Sequence, residues 1–319
     1  MVEQVDAVLT NISIAYMQTQ DKYISTKVFP VVPVSKKSGL YFKYDREAWL
    51  RDEAQKRADT TESAGSGYEV GTDRYDAEVF AFHKDVGDQI RANTDVPLDV
   101  ERDATQYVAS RLLLRQERQF VSDYLKTGVW GNDLTGVTGT PGAGQFKQFS
   151  DYANSDPIQV LDEAKDLISS VTGLDANVAV LGANVYKVLK NHPDIIDRIK
   201  FTSSENVTAQ LIARLLEIDN VYVMKSIFNS AKEGQTGVYG YNFAKDIWLG
   251  HAAQTPGVLT PSAGYTFSWD GASDGDVNQI GTVKFRLPEK RADRIESQVA
   301  FDNKVVAPEL GVYLSGVVA

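Results

Sequence analysis

Asn177-Val178-Ala179-Val180-Leu181-Gly182-Ala183-Asn184-Val185-Tyr186-Lys187-Val188-Leu189-Lys190-Asn191-His192-Pro193-Asp194-Ile195-Ile196-Asp197-Arg198-Ile199-Lys200-Phe201 is the stretch whose reading decides the fold. The run from Val178 to Leu181 has strand length and stops at Gly182. Asn184 to Lys190 has helical spacing. His192-Pro193-Asp194 interrupts it, because a residue before proline is pushed out of the helical region. A second apolar piece, Ile195 to Phe201, follows. Further on come an amphipathic helix over Val207 to Glu217, a β-rich run at Val221-Tyr222-Val223, and Asp246-Ile247-Trp248-Leu249-Gly250. The whole span holds no set of reactive groups. Its regularity points to architecture.

Upstream, the chain changes character several times. Met1 to Pro33 reads as an arm: Val5, Val8, Leu9 and Ile12 have helical spacing, and Val28 to Val34, with two prolines, is extended. Such an apolar arm needs another surface to cover it. Leu40 to Tyr44 reads as strand. Arg46, Glu47, Arg51, Asp52, Glu53, Lys56 and Arg57 then make a dense run of mixed charge between Asp45 and Asp59, and Thr60 to Gly67 has the small polar composition of a loop tip. Tyr68 to Val70 and Ala77 to Val86 return as strand. An excursion this long is uncommon inside a compact domain and usually has a task. Asp95 to Gly128 is expected as one helix of about 45 Å, with Pro97 in its first turn and Gly128 as its C-terminal cap.

Val129 to Ser150 reads as a glycine-rich flexible connection and Pro157 to Val171 as a helix. Thr255 to Gly281 is expected to be loop. Thr282 to Leu287 and Asp293 to Phe301 alternate as strands, and the apolar tail from Val305 to Val318 is expected to pack back as strand.

The 319 residues allow one large domain or two ordinary ones, and 43% hydrophobic with 24% charged residues is the composition of a folded soluble protein. No apolar run approaches the roughly 20 residues of a membrane span. The absence of cysteine removes disulfides, thiolate metal sites and cysteine nucleophiles. A net charge of −10 argues against a protein whose main task is gripping nucleic acid.

The order of arm, charged excursion, very long helix, mixed α/β segment, late strand pair and strand-like tail resembles the major capsid proteins of tailed bacteriophages, which have the HK97-like fold. The resemblance covers essentially the whole chain. It is strongest at Val178 to Phe201, Val207 to Ile218 and Asp246 to Gly250. It implies an α+β fold with an N-terminal arm (1–34), an extended loop (35–92), a peripheral segment with the spine helix (93–150), an axial domain (151–281), peripheral strands (282–306) and a C-terminal axial segment (307–319). The implied function is self-assembly, through pentamers and hexamers, into an icosahedral or prolate head enclosing the DNA genome without sequence-specific binding. The protein would then be a virion component assembled in the host cytoplasm. The implied partners are further copies of the chain, a separate scaffolding protein, a portal and, in some members, a decoration protein. Some members cross-link a loop lysine to a neighbour's asparagine. Lys43, Lys56 and Asn303 are of the right type, but no motif pairs them.

No enzyme, cofactor, metal site or membrane partner is expected. His83, His192 and His251 lack metal-ligand spacing, and no Gly-x-Ser-x-Gly elbow occurs. Gly136 to Gly144 lacks the Gly-Lys-Ser/Thr ending of a phosphate loop. Asp270 to Asp276 begins like a calcium loop, but Ala272 and Gly281 occupy ligand positions. The seven charged residues of the excursion are the candidate inter-subunit contacts, since mixed signs let identical copies meet reciprocally. The alternatives are an encapsulin-type nanocompartment shell and, from another class, an α/β enzyme or small-molecule binder.

Overall fold

The computed structural model describes residues 18–44, 46–94, 99–200, 207–257, 259–272 and 281–319. The arm residues Val5, Val8, Leu9 and Ile12, as well as Asp45, Pro97 and most of the calcium-like loop, lie outside them. The described chain opens with a one-turn helix α1 (Ser25–Val28) and strand β1 (Val31–Val34). The excursion contributes β2 (Ser38–Tyr44), the turn α2 (Arg46–Trp49) and β3 (Val70–Asp76). β4 (Glu78–Gly87) and α3 (Asp88–Ala92) lead to the long helix α4 (Val100–Tyr124).

Next come β5 (Asn132–Val137), β6 (Gln145–Lys147), α5 (Pro157–Thr172), β7 (Val178–Gly182), α6 (Ala183–Lys190), α7 (Pro193–Lys200), α8 (Ala209–Leu215), β8 (Asn220–Met224), β9 (Ile227–Asn229), β10 (Tyr239–Tyr241) and β11 (Ile247–Gly250). The chain closes with β12 (Gly264–Trp269), β13 (Gly281–Leu287), β14 (Ala292–Val305) and β15 (Gly311–Ser315).

Two sheets organise these elements. In the first, the long strand β14 pairs antiparallel with β4, β13 and β12, and β12 takes the arm strand β1 in parallel, Val31 opposite Thr266. The described part of the arm thus finds a covering surface within its own chain. The second sheet runs β6-β5-β15-β11-β7-β8. Its centre is the opening stretch of the sequence: every residue of β7 and of β11 is buried. A strand buried on both faces has no polar side, so its sequence is an unbroken apolar run. α5 packs beside this sheet. Asp156 caps it by accepting from the backbone N–H groups of Ile158 and Gln159, Pro157 fills its first position, and Gly173 ends it at φ +71.

Several expectations change. The long helix spans 25 residues, about 37 Å, not 45 Å. It starts at its cap Asp99, whose carboxylate accepts from Glu101 and Arg102 N–H. It ends at Tyr124, because the Trp130 indole N–H donates to the Tyr124 carbonyl at 2.6 Å. Gly128 lies beyond that end and caps nothing. The supposed flexible connection at 129–150 holds two strands. Its Gly136 is glycine because a Cβ there would run into the Gly316 carbonyl where β5 meets β15. The supposed loop at 255–281 contains β12, whose Tyr265 and Phe267 are buried. The tail strand is confined to Gly311–Ser315 and enters the second sheet, after a 3-10 turn at Pro308–Leu310.

The two sheets meet at the C-terminal end of α4. The Phe29 ring lies 4.5 Å from Tyr124, 5.1 Å from Trp248 and 6.2 Å from Trp130, centroid to centroid. The Tyr124 hydroxyl donates to the Tyr265 carbonyl at 2.7 Å. Farther up the helix, the fully buried Glu117 accepts from Ile24 N–H at 3.0 Å, Ser25 N–H at 2.8 Å and the Ser226 hydroxyl at 3.1 Å. Burial pushes its carboxyl up from the usual range, while these donors pull against that rise.

At the opposite end of β14 the packing gives way to charge. Asp293 meets Arg286 at 3.1 Å and Arg91 at 2.6 Å, and Arg91 also meets Glu101 at 3.0 Å. At the next residue of the strand, Arg294 bonds both oxygens of Asp85 at 2.7 and 3.0 Å. The Arg286 hydrogen bonds hold the Asp293 carboxyl down at about 2, and those of Arg294 do the same for Asp85.

Phe29→Ala should destabilise the chain by about 3–5 kcal/mol, because the ring leaves a cavity among Tyr124, Trp130 and Trp248. A melting curve reads this, and a shift under a degree would reject the plug role. Carboxylates with lowered pKa contribute stability fully above their unfolded value near 3.8 and lose it as pH falls towards about 2. Arg294→Gln should therefore lower the melting temperature at neutral pH and flatten its fall between about pH 4 and about pH 2. A parallel profile for parent and variant would count against this coupling.

Candidate inter-subunit surface

β2 and β3 form an antiparallel hairpin from Ser38 opposite Asp76 to Tyr44 opposite Val70. Alternation gives it two faces. Tyr41 and Tyr75 face the body, their rings 5.3 and 4.6 Å from that of Phe267. The Tyr75 ring lies across Gly39, where any Cβ would meet it within 2.9 Å. The Tyr41 hydroxyl donates to Asp73 at 3.1 Å, and burial, followed by that hydrogen bond, raises its pKa. Leu40 and Phe42 point the other way and are 70% and 69% exposed. Two strands with a bare apolar face are not a stable unit in water, and an apolar patch of this kind marks a contact surface.

Beyond Tyr44 the chain leaves the body. Trp49 and Tyr68 meet at 5.5 Å and close the base of the excursion. Every residue from Leu50 to Arg74 is exposed. Of the seven charged residues singled out, Arg46 reaches Glu309 on the body at 3.7 Å. Arg51 sits between Glu47 at 3.8 Å and Glu53 at 3.9 Å. The Arg57 Nε donates to the Thr61 carbonyl at 2.5 Å. Asp52 and Lys56 make no ion pair among the described residues. Exposed pairs at such distances contribute only about 0–1 kcal/mol. Most of the charge run is therefore not committed to holding its own subunit together.

Sequence reasoning missed the apolar half of this surface. An apolar groove of about 720 Å³ lies under the hairpin, between Tyr41, Trp49 and Leu50 on one side and Leu174 and Phe267 on the other. The signal was available in Leu40-Tyr41-Phe42, where large apolar residues occupy both faces of a strand. Glu309 had no local signal, since only folding brings it to Arg46.

The remaining candidates are structural. His192 is fully buried. Its Nδ1 accepts from Asp194 N–H at 3.3 Å, which leaves Nε2–H to donate to the Ser155 hydroxyl at 3.1 Å. Burial lowers its pKa, so the ring stays neutral. His83 is exposed on β4, and His251 Nδ1 lies 2.8 Å from the Asp175 carbonyl. The Asn303 amide is held by Asp123 at 2.9 Å and Thr266 at 3.0 Å within the chain. Among the described residues no group of three or more His, Asp or Glu could hold a metal, and no helix is long and apolar enough to cross a membrane.

No protein-family model matches the chain. Two curated proteins match along its length. The major capsid protein of Burkholderia phage BcepMu is 28% identical, covering 98% of this chain and 96% of its own. The major capsid protein of Pseudomonas phage JBD67 is 26% identical, covering 99% and 97%. Among solved structures, a phage-related protein of Bordetella bronchiseptica RB50 superposes with a TM-score of 0.68 at 20% identity over 94% of both chains. The fold is the HK97-like capsid fold. The chain is homologous over its whole length to phage major capsid proteins. The same fold accounts for its likeness to the SrpI encapsulin of Synechococcus elongatus, TM-score 0.58 at 11% identity over 97% and 93% of the chains. That likeness concerns the fold alone, whereas the two curated proteins that match the HK97-like chain in sequence are phage proteins.

Leu40→Glu/Phe42→Glu should leave the melting temperature of this HK97-like subunit within about 2 °C, since both side chains are already in solvent. Particle yield counted by electron microscopy should fall severalfold. An unchanged yield would reject the hairpin face as a contact.

Proposed function

We propose that the chain is the repeating, non-enzymatic subunit of a phage head shell that encloses a DNA genome. The observation carrying this reading is full-length homology to two phage major capsid proteins, matched by an excursion whose apolar Leu40 and Phe42 face is exposed. On this reading residues 35–92 are the extended loop, laid on a neighbouring copy, and 1–34 are the arm. Residues 93–150 with 282–306 form the peripheral part around α4 and β14. Residues 151–281 with 307–319 form the axial part around the second sheet. Arg46, Glu47, Arg51, Asp52, Glu53, Lys56 and Arg57 are inter-subunit contacts. Mixed signs suit a repeated heterologous contact, and closure multiplies weak pairs over many copies. The subunit assembles in the host cytoplasm into pentamers and hexamers, with a separate scaffolding protein and a portal as partners and a decoration protein as a further one. The neutral, buried His192 and the engaged Asn303 amide support a subunit without catalytic or cross-linking chemistry at those positions.

Electron microscopy of particles containing the chain tests this. Closed shells with nuclease-protected DNA are expected. Shells filled with protein and lacking DNA would favour a nanocompartment, and a strictly monomeric chain under all assembly conditions, with or without its scaffold, would overturn the shell reading.

A further inference from the structure

Arg111, Arg115 and Arg118 lie on one face of α4, because steps of four and three residues return to the same side of a helix. Each guanidinium is placed over an aromatic ring: Arg111 over Tyr107 at 5.1 Å, Arg115 over Phe80 at 4.8 Å and Arg118 over Phe228 at 4.3 Å. Lys84, on the neighbouring strand β4, sits 5.4 Å from the same Tyr107 ring. All four cations are exposed, and none makes an ion pair among the described residues. The cations around Asp85 and Asp293 differ: Arg91, Lys284, Arg286 and Arg294 each meet a carboxylate within 3.0 Å. The acid nearest the end of the stripe, Asp123, is taken up by Gln119 and Asn303.

An aromatic face orients a cation without neutralising it. Arg111 gives one N–H to the Tyr107 hydroxyl at 3.0 Å and Arg115 one to the Gln119 side-chain carbonyl at 2.8 Å, and the remaining guanidinium N–H groups, whose fork matches phosphate geometry, are left for an anion. From Arg111 to Arg118 the helix rises about 10 Å. One strand of duplex DNA presents a phosphate about every 3.4 Å of axis, so the stripe matches a run of about three phosphates. The apolar groove lies elsewhere, under the excursion.

We propose that Arg111, Arg115 and Arg118, with Lys84, form a sequence-independent contact for the phosphate backbone of duplex DNA. Choosing DNA among polyanions rests on the head-shell reading; binding of a polyanion by the stripe does not. In a chain of net charge −10 the contact is local and weak per subunit, and it acts through the number of copies on a concave wall.

The test uses the full-length unassembled chain and a labelled DNA duplex of arbitrary sequence, with anisotropy read between about 50 and about 200 mM salt. Arg111→Gln/Arg115→Gln/Arg118→Gln should weaken binding at least about tenfold at low salt and reduce the log–log salt slope by about 3, whereas the triple lysine variant should keep the slope. If the triple glutamine variant melts early, Arg115→Gln and Arg118→Gln are read singly, each with a slope change of about 1. Undetectable binding by the parent, or parental binding by the glutamine variants, overturns the proposal. Displacement of the duplex by polyglutamate at lower charge concentration than by unlabelled DNA overturns DNA as the ligand. Particle formation is scored separately by microscopy. A parent that binds DNA but forms no shells leaves the stripe standing and overturns the head-shell reading.

Discussion

The packing of Phe29 among Tyr124, Trp130 and Trp248 is the constraint on which the rest of the structure depends. Each ring comes from a different part of the chain: the arm, the end of α4, the segment after it, and the centre of the second sheet. The Tyr124 hydroxyl ties this cluster to β12 of the first sheet. Gly264 is glycine at the same spot because a Cβ would meet the Tyr124 ring at 2.9 Å and the Phe29 ring at 3.3 Å. Without this joint the helix and its long strands would have no fixed relation to the sheet that contains β7 and β11. Buried aromatic area supplies the energy, and the two hydrogen bonds of Tyr124 supply the orientation.

Much of the fold was legible in the sequence, and the reasons differ by element. β7 and β11 were readable because strands buried on both faces are continuous apolar runs. α5 was readable from its Asp-Pro start and its apolar face. The ends of α4 were misplaced because side chains remote in sequence, above all Trp130, decide where its hydrogen bonding stops. β12 was hidden by flanking Ser, Pro and Gly, although Tyr265, Phe267 and Trp269 alternate correctly. β5 and β6 were hidden because glycines that permit close strand approach look, one at a time, like glycines that permit motion. At the surface, charge drew attention to Arg46 through Arg57, while the larger exposed contribution of Leu40 and Phe42 lay in the strand just before them.

Charge is distributed in three ways along the molecule. Around Asp293 and Asp85 it is paired within the subunit and lowers carboxylate pKa values. In the excursion it is mixed and little used. Along Arg111 to Arg118 of α4 the exposed charge is of one sign and backed by rings. The first pattern stabilises a fold, the second suits contact between identical copies, and the third suits an anion. The three patterns lie in separate parts of the chain.

β14 runs 14 residues without a break, about 45 Å, and α4 lies along it through Ala104 against Ile295 and Leu112 against Val299 and Phe301. A rod bonded lengthwise to a ribbon behaves as a laminated beam: flexing it would require the helix to slide over the strand, and the interlocked side chains prevent that sliding. The subunit is therefore stiff along this direction. If copies of such a beam were laid side by side in a curved wall, a change of its radius would fall on the joints between them before it fell on the beam.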